Sequence, residues 1–161
     1  MMNENCLIWN VRGLNSRACR NVVREMVAQH NLSLISLQEM KLDDCDAQLI
    51  SEMCGWGFDY YHKAAVNSSG GILIASKSNT WAISNPLFHA DCITVQVTLL
   101  RNGEQWWLAC VYGPQGDFEK LRFLDDLRQV CASRFGTWVV SGDFNMIYQA
   151  QDKNNAVLTE E

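Results

Sequence analysis

Two short apolar runs with an amphipathic segment between them constrain the fold more than any other feature of the sequence. Residues 6–11 and 32–37 are both rich in β-forming residues, as buried strands are. Between them, apolar residues recur every three or four positions from Arg17 to Gln29, which predicts a helix with one buried face. A strand, a helix and a second strand this closely spaced predict a βαβ unit with parallel strands.

The middle of the chain has a different pattern, with short strand candidates separated by turn residues. The dipeptide Asn102-Gly103 lies between two of these candidates and favours a type I′ hairpin and antiparallel pairing. Helical spacing returns at residues 43–54, more weakly, and at 118–132. We therefore predict an α/β fold with mixed parallel and antiparallel strands; the strand candidates after the first two lie at 58–62, 71–75, 81–87, 93–100, 105–112 and 137–141.

Length and composition limit the class of protein. A chain of 161 residues with 48% hydrophobic and 19% charged residues is long enough for one globular domain and too apolar for a disordered chain. No apolar run approaches the roughly 18 residues of a membrane span, and the start lacks the basic segment of a signal peptide. We expect a single domain over residues 1–161, no membrane partner, and an intracellular location, either nuclear or cytoplasmic.

The seven cysteines are an odd number and are scattered, with no C-x-x-C pair and no adjacent histidine pattern. This argues against a zinc site and against a disulfide framework, and favours reduced thiols buried as small apolar side chains.

Polar side chains stand at or just after the carboxyl ends of apolar strand candidates, where the loops of a sheet protein converge on a site. They are Asn10, Glu39, Tyr112, Asp143 and Asn145. Each one alone is more commonly a turn former, a solvated charge or a packing residue. Together, two carboxylates and two amides without a cysteine or histidine cluster suit a hard cation such as Mg²⁺, which leaves ligand positions for water and phosphate. This combination predicts phosphoester chemistry.

A basic stripe accompanies the first helix. Arg17, Arg20 and Arg24 lie on it, with Arg12 nearby, and the nearest acid in the sequence is Glu25. The net charge of −5 gives no global attraction for a polyanion, so any nucleic-acid contact must be local. Two interpretations stay open: contact of these arginines with a nucleic-acid backbone, or a solvated helix face.

Five motifs resemble a known family when they are read in order. They are WNVRGLN at 9–15, LQEMK at 37–41, GGIL at 70–73, VYGP at 111–114 and SGDFN at 141–145. Together they resemble the endonuclease/exonuclease/phosphatase superfamily, and within it the endonuclease domain of plant LINE-type (non-LTR) retrotransposons. The resemblance covers about residues 5–155, and five ordered motifs are far more specific than any one of them.

The resemblance implies a four-layered α/β sandwich with two mixed sheets, the second incomplete, and hydrolysis of DNA phosphodiester bonds with Mg²⁺ or Mn²⁺. By motif position, Asn10 and Glu39 would hold the metal, and Asn10 would also belong to the catalytic set. Tyr112 would reach the phosphate, while Asp143 with Asn145 would orient or deprotonate the attacking water. In-line attack needs this division between an activated oxygen and charge neutralisation.

The sequence also departs from the family pattern. Arg12 stands where many family nucleases carry an acid, and Met40 replaces the usual threonine. The family's closing Ser-Asp-His region has no counterpart, and none of His30, His62 and His89 replaces its histidine. We therefore expect a domain that lacks its C-terminal part and has impaired nuclease activity. The alternatives are a non-enzymatic nucleic-acid-binding remnant and an unstable truncated product, and the oligomeric state is open.

Overall fold

A computed structural model describes residues 3–66, 70–147 and 149–152. Its elements follow in chain order: β1 (Asn5–Asn10), α1 (Arg17–Gln29), β2 (Leu32–Gln38), α2 (Ala47–Cys54), β3 (Phe58–Lys63), β4 (Ile72–Lys77), β5 (Trp81–Phe88), β6 (Cys92–Leu99), β7 (Glu104–Tyr112), α3 (Asp117–Ala132) and β8 (Trp138–Asp143), with a 3₁₀ turn at Ala150–Asp152.

The strands form two four-stranded mixed sheets, each built from a continuous half of the chain. The first sheet has the order β1-β2-β4-β3 and the second has the order β5-β6-β7-β8. β1 runs parallel to β2 and β7 runs parallel to β8, and each parallel pair is joined by a crossover containing a helix, α1 or α3. All other strand pairs are antiparallel. The predicted βαβ unit is thus confirmed.

The sheets stack face to face with helices outside, which confirms the predicted α/β sandwich. Ile74 and Val95 belong to the apolar cluster between the two sheets. On the outer face of the first sheet, Val23 of α1 and Met53 of α2 share a cluster with Leu37. On the outer face of the second sheet, α3 packs mainly through Phe123. Burial of these three apolar layers fixes how the two sheets are placed, and hence how their ends meet.

The turn between β6 and β7 differs from the prediction of a type I′ hairpin. Such a turn needs positive φ at both central residues, and of the pair only Gly103 has one, at +73°. Leu99 pairs directly with Glu104, so four residues form the loop. The Asn102 side chain is used differently, since its Oδ1 accepts a 3.0 Å hydrogen bond from the Glu104 amide.

Helix α2 begins later than the predicted residue 43. Its first residue is Ala47, because the Asp46 side chain caps the helix by accepting a hydrogen bond from the Leu49 amide. An aspartate in this role stabilises the start of a helix and excludes the residues before it.

The cysteines are free thiols, as expected, but they are not uniformly buried. Cys6 and Cys19 are exposed, Cys131 is half-buried, and Cys45, Cys54, Cys92 and Cys110 are buried. The prediction of buried thiols is therefore wrong for Cys6 and Cys19, which lie on an edge strand and on the outer side of α1.

Candidate active site

The five predicted site residues meet at one end of the sandwich. Asn10 ends β1 opposite Gln38, so that Glu39 follows directly. Tyr112 ends β7 opposite Asp143, the last residue of β8. Because parallel strands end at the same edge of a sheet, each crossover unit brings two of these residues together, and the stacking of the sheets brings the two pairs into contact.

The Asn10 side chain connects the two sheets. Its Nδ2 donates a hydrogen bond of 2.7 Å to Oδ2 of Asp143, and its Oδ1 accepts one of 3.1 Å from the backbone amide of Arg12. The accepted bond fixes the orientation of the amide, so that its donor side faces Asp143.

The Asp143 carboxylate is held from a second direction. Its Oδ1 accepts the Asn145 amide at 2.9 Å, while Asn145 Nδ2 donates at 2.6 Å to the carbonyl of Gly113. Both carboxylate oxygens thus receive a hydrogen bond. A carboxylate fixed in this way is positioned to accept a proton without first rotating.

Glu39 is a partly buried carboxylate beside two cations. Its side chain is 19% exposed, and its Oε1 lies 3.1 Å from Lys41 Nζ. Burial raises the pKa of Glu39, but hydrogen bonds from Asn10 and Lys41, with the charges of Lys41 and Arg12, outweigh burial and lower that pKa below its ordinary value. Glu39 is therefore ionised at neutral pH.

The Tyr112 phenol completes the cluster. Its side chain is buried, and burial raises its pKa, as do the negative charges of Glu39 and Asp143; the Asn145 side chain acts in the opposite direction. The phenol therefore stays protonated at neutral pH and is a hydrogen-bond donor.

Left-handed backbone is concentrated at this cluster. Arg12, Glu39, Lys41 and Asn145 all have φ between 51° and 56°, a region that costs free energy for residues other than glycine and that is common at functional sites. Gly70 explains how Glu39 is held, because a Cβ at position 70 would lie 2.7 Å from the Glu39 Cα. Only glycine allows this approach.

Met40 accounts for one departure from the family pattern. Its side chain is fully buried and belongs to the core beneath α1 and α2. The position therefore serves packing here, while its neighbours Glu39 and Lys41 face the site.

The residues present fit a single hard cation. No cluster of three or more histidine, cysteine, aspartate or glutamate side chains within residues 3–66, 70–147 and 149–152 is arranged to hold a metal. Mg²⁺, however, needs only one or two carboxylates and retains its waters. Ionised Glu39 meets that requirement, whereas Asn10 would offer its amide oxygen only after its side chain turns, because its Nδ2 faces Asp143 and its Oδ1 accepts from the Arg12 amide. Lys41 competes with the cation for Glu39.

A cavity of about 210 Å³ adjoins Tyr112, lined also by Pro114, Gln115, Asp91 and Glu119. The two acidic side chains on its wall disfavour a phosphate there. Arg12 and Lys41, the two cations whose charges act on Glu39, are not part of this lining.

The four arginines of the predicted basic stripe have different environments. Arg12 lies at the site, where its charge acts on Glu39. Arg20 is turned inwards and donates 2.9 Å hydrogen bonds to the carbonyls of Leu14 and Asn15. Arg17 and Arg20 also lie 3.6 and 3.8 Å from the carboxylate of Glu52, and Arg24 donates to its carbonyl at 3.4 Å. Nucleic-acid contact by Arg12, Arg17, Arg20 and Arg24 stays a prediction.

The histidines lie elsewhere. His30 caps the end of α1, His62 lies within β3, and His89 closes the turn into β6, where its amide donates to the Cys92 carbonyl. In the described part of the chain, no histidine hydrogen-bonds to the five side chains of the site.

Sequence reasoning missed Lys41, Gly70 and Glu52. Lys41 lies in the motif LQEMK, next to Glu39, and Gly70 lies in the motif GGIL. Their place in these motifs could have identified them as site residues. No pattern in the sequence points to Glu52, because only the packing of α2 against α1 brings it close to the arginines.

A sandwich of two four-stranded mixed sheets with helices outside matches part of the fold of endonuclease/exonuclease/phosphatase proteins. The sequence profile of the Endonuclease/Exonuclease/phosphatase family matches residues 7–158. The chain belongs to this family, whose members are generally metal-dependent.

Solved structures share the fold at low sequence identity. The human nocturnin catalytic domain with bound sulfate has a TM-score of 0.65 at 14% identity, over 88% of this chain and 64% of that one. The Xenopus laevis APE2 catalytic domain has a TM-score of 0.65 at 20% identity, over 89% and 59%. D. rerio TDP2, complexed with a single-strand DNA product, has a TM-score of 0.66 at 14% identity, over 88% and 60%.

The chain thus spans about three fifths of the length of these structures. No curated protein matches its sequence. None of the helices in the described ranges is long and apolar enough to cross a membrane.

Proposed function

We propose that the chain is the core of a divalent-metal-dependent endonuclease that hydrolyses DNA phosphodiester bonds, of the kind that nicks target DNA for plant LINE-type retrotransposons. The observation that carries this proposal is the 2.7 Å hydrogen bond from Asn10 to Asp143, which places an oriented carboxylate next to the ionised Glu39. Five motifs in the order of that family's endonucleases support the choice of DNA.

Each residue has a role that follows from its surroundings. Glu39 and Asn10 would hold Mg²⁺ or Mn²⁺, which would supply charge neutralisation at the phosphate oxygens. Asp143, fixed by Asn10 and Asn145, accepts a proton from the attacking water. Protonated Tyr112 donates a hydrogen bond to the phosphate. Arg12 and Lys41 attract the substrate locally despite the net charge of −5.

The test is nicking of supercoiled DNA by the purified chain with Mg²⁺, beside the variants Asp143→Ala and Asp125→Ala. Asp125 is an exposed carboxylate on α3, paired with Arg128, and provides the matched control. In keeping with the impaired activity predicted from the sequence, we expect slow nicking by the wild type and by Asp125→Ala, and none by Asp143→Ala. Equal nicking by all three would reveal a contaminating nuclease, and no nicking by a cooperatively melting wild type contradicts the proposal.

A second candidate function is nucleic-acid binding without cleavage. The observation that favours it is the ion pair between Lys41 Nζ and Glu39 Oε1 at 3.1 Å, because a carboxylate already neutralised by a lysine has less need of a cation. Binding of this kind would weaken steeply with salt and would survive Glu39→Ala. Binding that is lost with Glu39→Ala, or that persists when the arginines are replaced, would contradict it.

A further inference from the structure

A second cavity lies at the opposite end of the first sheet from the candidate active site. Its volume is about 300 Å³, and its lining includes Arg24, Val27, Trp56, Phe58 and Lys77. Phe58 pairs with Lys77 at one end of the β3–β4 ladder, whereas Gln38, next to Glu39, pairs with Ile72 at the other end of β4. The cavity is therefore roughly 15–20 Å from Glu39 by strand rise, and neither the proposed chemistry nor the family motifs involve it.

Trp56 is the unusual member of this lining. Its side chain is 88% exposed, although an indole is among the most favourable side chains to bury. It is held between Gly55 and Gly57, whose φ angles are 91° and 79°. The Gly55 amide donates to the Ser51 carbonyl at 3.0 Å, and the Gly57 carbonyl accepts from Ser78 at 2.8 Å. The tripeptide is thus anchored on both sides and presents a flat aromatic surface to solvent.

Two cations border the same cavity. Arg24 and Lys77 are exposed, and neither takes part in an ion pair among the residues that the structure describes. Asp59 follows Phe58 in β3, and successive side chains of a strand point to opposite faces. Because Phe58 faces the cavity, the Asp59 carboxylate lies on the other face and does not neutralise Lys77. In a chain with a net charge of −5, this is a local positive region beside an exposed indole.

We infer that this cavity is a binding site for single-stranded nucleic acid, with an unpaired base stacked on Trp56 and the flanking phosphates held by Arg24 and Lys77. Stacking on an aromatic ring combined with cations along the backbone is how single strands are bound without base-pair readout. A duplex cannot use the site in this way because its bases are already stacked on one another. The apolar floor formed by Val27 and Phe58 accepts the edge of the base.

The experiment measures fluorescence anisotropy of a labelled single-stranded oligothymidylate with the full chain in EDTA, so that divalent-metal chemistry takes no part. Trp56→Ala is expected to weaken binding about tenfold, and Trp56→Phe to retain most of the affinity. Arg24→Ala and Lys77→Ala should each lower the slope of log affinity against log salt by roughly 0.7. A duplex of the same length should bind with lower affinity at this site and be insensitive to Trp56→Ala.

The matched control is Phe135→Ala, since Phe135 is a fully exposed aromatic residue away from the cavity; it should bind like the wild type. Because the measurement is made without divalent metal, failure of the proposed nuclease activity leaves this result intact. Equal affinity of wild type and Trp56→Ala, at an unchanged melting temperature, would overturn the inference. So would absence of oligonucleotide binding, which would leave a protein partner as the occupant of the exposed indole.

Discussion

Asn10 Nδ2 lies 2.7 Å from Asp143 Oδ2, although the two residues are 133 positions apart and end strands of different sheets. Neither helix nor sheet pairing brings them together. Their contact exists because three apolar layers stack the two βαβ units with their carboxyl ends at the same side. The candidate site is therefore a product of how the sheets dock.

Removing either partner of this hydrogen bond should affect the same step. We expect Asn10→Ala and Asp143→Ala each to lower DNA nicking by about 100-fold or more. The double variant should be little worse than either single one, because the two side chains act as a unit. Initial nicking rates of the four proteins provide the measurement, and effects that multiply would show that the residues act independently.

Cation binding should respond in opposite directions to two neighbouring substitutions. Glu39→Gln should abolish specific Mn²⁺ binding in a calorimetric titration. Lys41→Met should strengthen it by roughly two- to fivefold, which corresponds to the modest free energy of an exposed ion pair. Lys120→Met removes a lysine that pairs with Asp117 at 3.0 Å on α3 and should change nothing. Weaker Mn²⁺ binding by Lys41→Met would mean that Lys41 supports the site rather than competing for it.

Tyr112 should act as a neutral phenol. Because burial and the charges of Glu39 and Asp143 raise its pKa, it should ionise only above the ordinary value of about 10. Tyr112→Phe should remove one late-titrating tyrosine from the absorbance titration and lower nicking about tenfold or more. A phenolate detected at neutral pH would contradict this role.

The raised pKa of Tyr112 also has a consequence for stability. The contribution of Tyr112 to the free energy of unfolding is fully present below the ordinary pKa of a tyrosine and is lost as the pH rises through the pKa in the folded chain. Tyr112→Phe should therefore unfold at a higher pH than the wild type, as measured by circular dichroism.

Glu39 should affect the stability of the chain at acid pH. Its pKa in the folded chain is lowered, so its stabilising contribution is present above the ordinary value of about 4.3 and is lost as the pH falls through the folded-state value. The free energy of unfolding can be measured with denaturant at a series of acid pH values. As the pH falls below the ordinary pKa, this free energy should decrease less steeply for Glu39→Gln than for the wild type. Identical slopes would mean that Lys41 and Arg12 do not stabilise the carboxylate.

The close packing of Gly70 gives a steric prediction. A Cβ at this position would lie 2.7 Å from the Glu39 Cα, whereas at Gly116 it would meet only the carboxylate end of Glu119. Gly70→Ala should therefore destabilise the chain by about 1–3 kcal/mol and weaken Mn²⁺ binding. Gly116→Ala should do neither to that extent, because the Glu119 side chain can rotate away. Thermal melts of both variants measure the change in stability, and calorimetric titration measures the change in Mn²⁺ binding.

The fold and the general position of the site could be predicted from the sequence because both depend on local patterns. Residues 6–11 and 32–37 are short apolar runs, and a polar residue directly after such a strand lies at the edge of the sheet wherever the strand goes. That rule identified all five polar residues, and the ordered motifs added the role of each; the residues are Asn10, Glu39, Tyr112, Asp143 and Asn145.

What could not be predicted depends on backbone dihedral angles and on contacts between distant elements. The Asn102-Gly103 pair allows a type I′ turn, but the register of β6 on β7 required a longer loop. Likewise, Arg20 reads as a surface cation on a helix wheel, and only the packing of α2 supplies Glu52 as its partner at 3.8 Å.

Each sheet comes from one uninterrupted half of the chain, with the boundary between Lys77 and Trp81. Asn10 and Glu39 belong to the first half, and Tyr112, Asp143 and Asn145 to the second. Cleavage of the chain at that boundary would leave each fragment with an incomplete set of these side chains. Activity restored by mixing two such fragments would then report their association, which makes the molecule a natural starting point for a split-enzyme sensor.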